Sequence, residues 1–307
     1  MSSERGSGGQ ERWLIDRFGR KITNLRISLT HRCNLRCIYC HHEGERSCTV
    51  KMAKELAPAE IEEIMKVACS FGVRKVKFTG GEPTLREDLC EIVGAVPEGV
   101  ESSMTTNGTL LADCAYELKD AGLSRVNVSL DTLDPILYRR ITGVNALDSV
   151  LSGIEAGLDA GLKPVKLNMV ILKDLNENEV DSFLSFVSRR NGLILQIIEL
   201  MESDECRFHT DISELERNLA SKADRFFMRS MHHRKKYHLD GVEVEVVRPL
   251  HNTEFCAYCN RLRVTSSGEL KPCLLREDNH IDIRGVKGKE LEVRFLEAVS
   301  RREPFFK

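Results

Sequence analysis

From residue 24 to about 200, short apolar or β-branched runs alternate with longer stretches whose apolar residues recur at helical spacing. The short runs at 24–29, 75–78, 101–106, 125–130, 165–171 and 195–200 predict strands. The stretches at 58–71, 87–95, 110–121, 146–160 and 176–190 predict helices, the first opened by a proline at its entrance. Gly122 and Gly161 each follow a helical stretch within an Ala-Gly-Leu triplet, a signal for a left-handed cap that returns the chain to the sheet. Six β-then-α units in series predict an α/β fold with a parallel sheet and helical crossovers. Periodicity leaves two closures open, a barrel or a doubly wound sheet, and in both the chemistry belongs at the carboxyl ends of the strands. The polar clusters expected there are 30–40, 79–84, 105–108, 131–134 and 201–204.

After residue 204 the pattern changes. Helical segments with few strands are expected to about residue 230, followed by the basic stretch His232-His233-Arg234-Lys235-Lys236. Strict alternation in Val242-Glu-Val-Glu-Val-Val247 predicts a half-exposed strand. Runs at 261–265 and 270–272 flank Ser266-Ser267-Gly268-Glu269 and predict a hairpin. The expected division is a disordered leader at 1–12, a main α/β domain at 13–204 and an α+β extension at 205–307. No repeat of fixed period is present. No run of about 18 apolar residues occurs, so a soluble protein with no membrane partner is expected.

Composition narrows the compartment and the partners. The 307 residues carry 45 Lys+Arg against 47 Asp+Glu, a net charge of −2, which argues against a nucleic-acid partner held by global charge. Eleven cysteines cannot all pair internally, and nothing at the N-terminus reads as a secretory signal, so a reducing, cytoplasmic setting is expected. Six of the eleven fall into two triplets. The other five, Cys48, Cys69, Cys90, Cys114 and Cys206, are scattered; the middle three sit in helical stretches as small core residues.

The first triplet is Cys33-Asn-Leu-Arg-Cys37-Ile-Tyr-Cys40, on the loop after the first predicted strand. Three thiolates in eight residues suit a soft metal or an iron–sulfur cluster with one iron left open; the alternative is a zinc loop completed by His41 or His42. The second triplet is Cys256, Cys259 and Cys273, for which the alternative is a zinc ribbon short of one ligand.

The first triplet, with Tyr39 before its last cysteine, together with Gly80-Gly81-Glu82-Pro83 after the second strand, resembles the radical S-adenosylmethionine (SAM) superfamily. The segment from Phe255 to Leu274, Phe-Cys-Ala-Tyr-Cys-Asn-Arg-Leu-Arg-Val-Thr-Ser-Ser-Gly-Glu-Leu-Lys-Pro-Cys-Leu, resembles the carboxyl-terminal cluster region of the GTP 3′,8-cyclase family of molybdenum cofactor biosynthesis. That resemblance implies a partial (β/α)6 TIM-type barrel whose extension carries a second iron–sulfur cluster. It also implies two [4Fe–4S] clusters, on Cys33, Cys37 and Cys40 and on Cys256, Cys259 and Cys273, with SAM as cosubstrate. The implied SAM contacts are Tyr39, Gly81, Ser129 and Met201, with Glu82 a further candidate for the SAM amino group. For Met201 a core methionine is an equal alternative.

The implied GTP contacts are Arg26, Lys77, Thr105, Lys166, Arg261, Leu262 and Arg263, with Arg261 and Arg263 as electrostatic helpers in catalysis. Taken singly, each cation reads as an ordinary surface or strand-end charge. Arg26 and Lys166 fall inside parallel strands, which are buried on both faces, and so stand out from the residues themselves. Lys77 replaces the arginine many members carry, keeping the charge but losing the planar fork. In the implied reaction a radical takes hydrogen from ribose C3′ of GTP and the C3′ radical adds to guanine C8. The implied partners are a reductant protein of unknown identity, a downstream cyclic pyranopterin monophosphate synthase and a second copy in a homodimer. The chain ends Arg301-Arg-Glu-Pro-Phe-Phe-Lys307 without the Gly-Gly of many members, so another segment or none does the work of that tail.

Overall fold

The computed structural model describes residues 12–41, 54–201, 207–249 and 253–303. The leader up to residue 11, His42, Cys48, Cys206, the polar positions 202–204 and the last four residues lie outside the described residues.

Six parallel strands form as expected: β1 (Asn24–Ser28), β2 (Lys75–Thr79), β3 (Glu101–Thr106), β4 (Arg125–Ser129), β5 (Val165–Ile171) and β6 (Leu193–Glu199). They alternate with α1 (Pro58–Ser70), α2 (Leu89–Gly94), α3 (Leu111–Asp120), α4 (Pro135–Thr142), α5 (Leu147–Asp159) and α6 (Val180–Ser188). The cap after α3 is a Schellman turn: Gly122 sits at φ 102°, Leu123 N–H donates to Leu118 O at 2.9 Å and Gly122 N–H to Lys119 O at 2.9 Å. Gly161 repeats this after α5. α4 is absent from the pattern reading. Its signals are local, with Asp134 accepting from Leu137 N–H, Pro135 opening the helix and Gly143 closing it in the left-handed region.

The strands neighbour one another in chain order from β1 to β6, with no reversal. A doubly wound sheet needs a reversal of order, so the open question resolves toward the partial TIM-type barrel. Alternate residues such as Ile27, Phe78, Met104, Val128, Leu167 and Ile197 are buried against the helices in one continuous core. Each such side chain contributes about 1.5–3 kcal/mol on burial. Strand alternation turns the intervening residues, among them Arg26, Lys77, Thr105, Asn127, Lys166 and Gln196, into the lumen.

The later elements are α7 (Ser213–Lys222), β7 (Arg225–Met228), β8 (Lys235–Leu239), β9 (Val242–Val247), α8 (Thr253–Ala257), β10 (Arg261–Val264), β11 (Glu269–Lys271), β12 (Ile281–Asp282) and α9 (Gly288–Ser300). They extend the same sheet at both ends. β10 pairs in parallel with β1 and β9 in parallel with β6, giving the order β12-β11-β10-β1-β2-β3-β4-β5-β6-β9-β8-β7. The expected hairpin is β10–β11. The stretch before residue 230 carries the strand 225–228, which pairs with β8 at the edge of the sheet. One expectation is corrected. β9 is not half-exposed: flanked by β6 and β8, it buries Val242, Val244, Glu245, Val246 and Val247.

Candidate active site

The first cysteine loop leaves β1 and is held by neighbours on three sides. Arg36 N–H donates to Thr142 O at 2.8 Å and Ile38 N–H to Ile141 O at 3.0 Å, satisfying carbonyls at the end of α4. Tyr39 OH donates to Asp131 Oδ2 at 2.5 Å, and Asp131 Oδ1 accepts from Val170 N–H at 2.9 Å. Burial pushes the Asp131 carboxyl up to about 6, against the lowering effect of those two donors. Tyr39 also packs with Ile141, Leu172 and Leu200 in a small apolar cluster. Cys33 Sγ accepts from Leu35 N–H at 3.4 Å and from Asn107 Nδ2 at 3.9 Å.

The Gly80-Gly81-Glu82-Pro83 turn docks against the start of that loop. Gly81 N–H donates to Thr30 O and Glu82 N–H to Arg32 O, both at 2.7 Å. A Cβ on Gly81 would lie 2.1 Å from Arg32 O, so only glycine allows this approach. Glu82 is fully buried, and its Oε1 accepts from Thr84 N–H, Thr84 Oγ1 and Thr106 Oγ1 while Oε2 accepts from Asn107 N–H at 2.6 Å. Asn107 then donates to Asn34 Oδ1 at 2.7 Å. Glu82 thus ties the turn to the end of β3 and, through Asn107, to the cysteine loop. Ser129 ends β4 and Met201 follows β6, so with Tyr39 and Gly81 they surround the carboxyl-terminal mouth of the barrel.

Below the mouth the lumen is cationic. In register across the sheet stand Arg263, Arg26, Lys77 and Ser103, and farther round Thr105, Asn127 and Lys166. Arg26 donates to Thr79 Oγ1 at 3.1 Å. Lys77 makes no hydrogen bond or ion pair among the described residues. Burial, then Arg26, Arg261, Lys166 and Arg125, hold its amine well below the usual lysine range. Burial with Arg263 and Arg26 likewise lowers Arg261. Lys166 sits near pKa 8, lowered by burial against the opposing pull of Glu245 at 2.7 Å. Lys75 and Arg125 share Glu101 at the amino-terminal end of the strands. Leu262 is the exception among the expected substrate contacts, because alternation points it away from the lumen into the core, where it is 0% exposed.

The second triplet lies at the other end. Cys256 and Cys259 precede β10, which runs parallel to β1, so they stand at the amino-terminal end of the barrel strands. One strand of five residues separates the two ends, about 15 Å at the usual rise. Arg20 donates to Cys256 O at 3.0 Å and Arg302 to Cys259 O at 2.8 Å, and both arginines pair with buried Asp16. His232 N–H donates to Tyr258 O at 3.0 Å and its ring stacks on Phe255 at 3.8 Å, while His233 stacks on Tyr258. The connection between β7 and β8, from one end of the sheet, therefore meets α8, from the other, across the barrel floor.

Among the described residues, no three His, Cys, Asp or Glu side chains converge closely enough to hold one metal ion. Each triplet nonetheless offers three thiols on a short framework, all free of disulfides, and Cys33 and Cys40 are near enough to Cys37 to raise its pKa after burial and Asp131. The three soft donors and the N–H···S bonds to Cys33 fit a thiolate-bound cluster. Asp16 and Arg302 had no forewarning in the sequence, whereas Asp131 opens the polar cluster expected at 131–134. Glu245 had a signal, the alternation of β9, but alternation separates two faces without saying which one looks inward.

Comparison with known proteins follows this geometry. The family model described as "Radical SAM superfamily" matches residues 27–187, and that described as "Molybdenum Cofactor Synthesis C" matches 193–307. A Methanosarcina mazei protein named "Probable GTP 3′,8-cyclase" is 51% identical, over 97% of this chain and 91% of its own. An Archaeoglobus fulgidus protein of the same name is 48% identical over 96% of this chain and 99% of its own. Streptococcus suis SuiB matches in fold with a TM-score of 0.69 at 18% identity, covering 91% of this chain and 67% of that one. anSMEcpe, solved with bound AdoMet, matches at 0.63 and 16% identity, covering 92% and 81%.

Proposed function

Because the chain belongs to the radical SAM superfamily and, within it, to the GTP 3′,8-cyclase family, we propose that it converts GTP to (8S)-3′,8-cyclo-7,8-dihydroguanosine 5′-triphosphate, the first step of molybdenum cofactor biosynthesis. The observation that carries the reading is Lys77, an inward lysine with no carboxylate partner among the described residues and with Arg26, Arg261, Lys166 and Arg125 around it. Such a site is unfavourable until an anion of high charge enters, and a triphosphate supplies that charge.

As a superfamily member the chain uses SAM and a [4Fe–4S] cluster, which together supply a carbon-centred radical able to remove a hydrogen atom. Cys33, Cys37 and Cys40 would hold that cluster, and Tyr39, Gly81, Ser129 and Met201 would hold SAM at the mouth. Arg26, Lys77 and Lys166 bind phosphate oxygens, with Thr105 adding a hydroxyl. Arg261 and Arg263 lie toward the second triplet, where their fixed charge stabilises the negative charge that arises when the base radical left by C3′–C8 bond formation takes up one electron from the reductant, before a proton completes the product. Cys256, Cys259 and Cys273 would hold a second [4Fe–4S] cluster there.

The same reading includes a separate reductant protein, a downstream cyclic pyranopterin monophosphate synthase that receives the product, a homodimer and a cytoplasmic setting. The odd count of eleven cysteines supports the last of these. No helix among the described residues is long and apolar enough to cross a membrane. The test is anaerobic incubation with dithionite, SAM and GTP, following 5′-deoxyadenosine and the cyclised nucleotide. SAM cleavage indifferent to GTP, with no cyclised product, overturns the reading.

A further inference from the structure

The β7–β8 connection brings charge into the barrel that the substrate contacts above do not include. Arg229 pairs with Glu245 Oε1, and Arg234 Nη1 lies 3.6 Å from Glu245 Oε2 while donating to Gln196 Oε1 at 3.2 Å. Glu245 is 0% exposed and also takes Lys166 Nζ at 2.7 Å. Gln196 donates onward to Asn168 Oδ1 at 3.0 Å, and Asn127 reaches the same oxygen at 3.4 Å. A polar chain thus runs around the lumen wall from β4 to the far edge of the sheet.

One carboxylate facing three cations leaves a surplus of two positive charges. Arg234 also keeps a buried Nε with no hydrogen-bond partner among the described residues. A buried donor left unmade is costly, and an acceptor arriving in the lumen removes that cost. Glu245 sits at the one point that all three cations can reach, and the stacked His232 and His233 fix the connection that carries the two arginines. Without a central anion, mutual repulsion would turn these side chains outward.

We propose that Glu245 is a positioning residue that aims Lys166, Arg229 and Arg234 into the lumen, and that Arg229 and Arg234 bind the polyphosphate of a nucleoside triphosphate. This rests on the nucleotide reading above and extends its substrate site to residues from the opposite edge of the sheet. The groups facing Glu245 are Lys166 from β5 and Arg229 and Arg234 from the connection; Arg125 from β4, whose ion pair is with Glu101, adds a weaker pull, and Lys77 lies near Lys166. Burial pushes the Glu245 carboxyl up, but Lys166, Arg234 and Arg229 outweigh it and hold it at about 2, so it remains an anion at neutral pH. The Lys166 amine is charged below about pH 8 and loses its proton as pH rises through that value.

The test is equilibrium binding of GTP to the anaerobically reconstituted full chain between pH 7 and 9.5, with SAM binding measured in parallel. It compares wild type with Glu245→Gln, Arg234→Met and Arg234→Lys. Wild-type affinity is expected to fall as pH rises through about 8. Glu245→Gln weakens GTP binding about tenfold and moves that fall roughly one pH unit lower, since Lys166 loses the partner that keeps it charged. Arg234→Met weakens binding about tenfold, and Arg234→Lys recovers part of the loss by keeping charge without the fork. SAM affinity stays unchanged throughout. Unchanged GTP affinity and pH profile in Glu245→Gln and in the soluble Arg234 variants overturns the proposal while leaving the nucleotide reading intact. A wild type that fails to bind GTP overturns both.

Discussion

Replacing Gly81 by alanine tests whether the turn after β2 and the cysteine loop are built as one unit. The added Cβ would stand 2.1 Å from Arg32 O, 2.6 Å from Arg32 C and 2.9 Å from His31 O. All three are backbone atoms, so no side-chain rotation relieves the contact. Restoring ordinary separation requires a shift of about 1.2 Å, which stretches the 2.7 Å bond from Glu82 N–H to Arg32 O beyond hydrogen-bonding range. Overpacking of this kind costs about 1–3 kcal/mol and the lost bond about 1 more, so Gly81→Ala should destabilise the chain by roughly 2–4 kcal/mol. The displaced segment leads directly to Cys33, and a misplacement of about 1 Å is worth roughly 100-fold in rate. Urea unfolding of the unreconstituted protein measures the first quantity, and the initial rate of 5′-deoxyadenosine release from reconstituted enzyme the second. A variant within about 0.5 kcal/mol of wild type that still cleaves SAM at the wild-type rate would refute the steric argument.

Lys77→Met removes a lumen amine that has no partner among the described residues, so it should raise the melting temperature of the substrate-free protein by about 2 °C while weakening GTP binding, a combination read by calorimetry and dialysis. Asp131→Asn sets an amide against Tyr39 OH or Val170 N–H and should cost about 2 kcal/mol in denaturant. Because the Asp131 pKa is raised to about 6, its neutral form favours the folded chain. Wild-type stability should therefore decline from about pH 4 to 6 relative to the asparagine variant, and parallel urea titrations across that range check the sign. Arg302→Ala leaves buried Asp16 with Arg20 as its remaining cation among the described residues and frees Cys259 O; a loss of about 3 kcal/mol and of roughly half the reconstituted iron is expected from unfolding and iron assays. Cys33→Ala should abolish SAM cleavage, whereas Cys273→Ala should retain it and lose cyclised product; equal loss of cleavage in both contradicts that division of labour.

Much of the fold was legible because its signals are local. Val76 and Phe78 identify a strand by their spacing, and Gly122 closes α3 through a backbone conformation that glycine adopts without steric cost. α4 was legible in principle, from Asp134-Pro135 and Gly143, but eight residues give an apolar stripe too short to stand out. The parallel pairing of β10 with β1, the edge strand β7 and the depth of β9 were not legible, since each depends on which strand lies alongside.

The site divides in the same way. The thiol triplets and the Gly-Gly-Glu-Pro turn are fixed by residues near one another in the chain, so the sequence by itself determined where the soft donors stand and which turn faces them. Only the tertiary structure decided that β10 lies beside β1 and β9 beside β6, and that the connection carrying His232 and His233 crosses to Phe255 and Tyr258. Those pairings turn Glu245, which reads like solvent-facing polarity along the chain, into the buried anion among lumen cations, and send Leu262 into the core between two inward arginines. The physical reason is that a period of two tells the faces of a strand apart, whereas what lies against each face is set by segments far away in sequence.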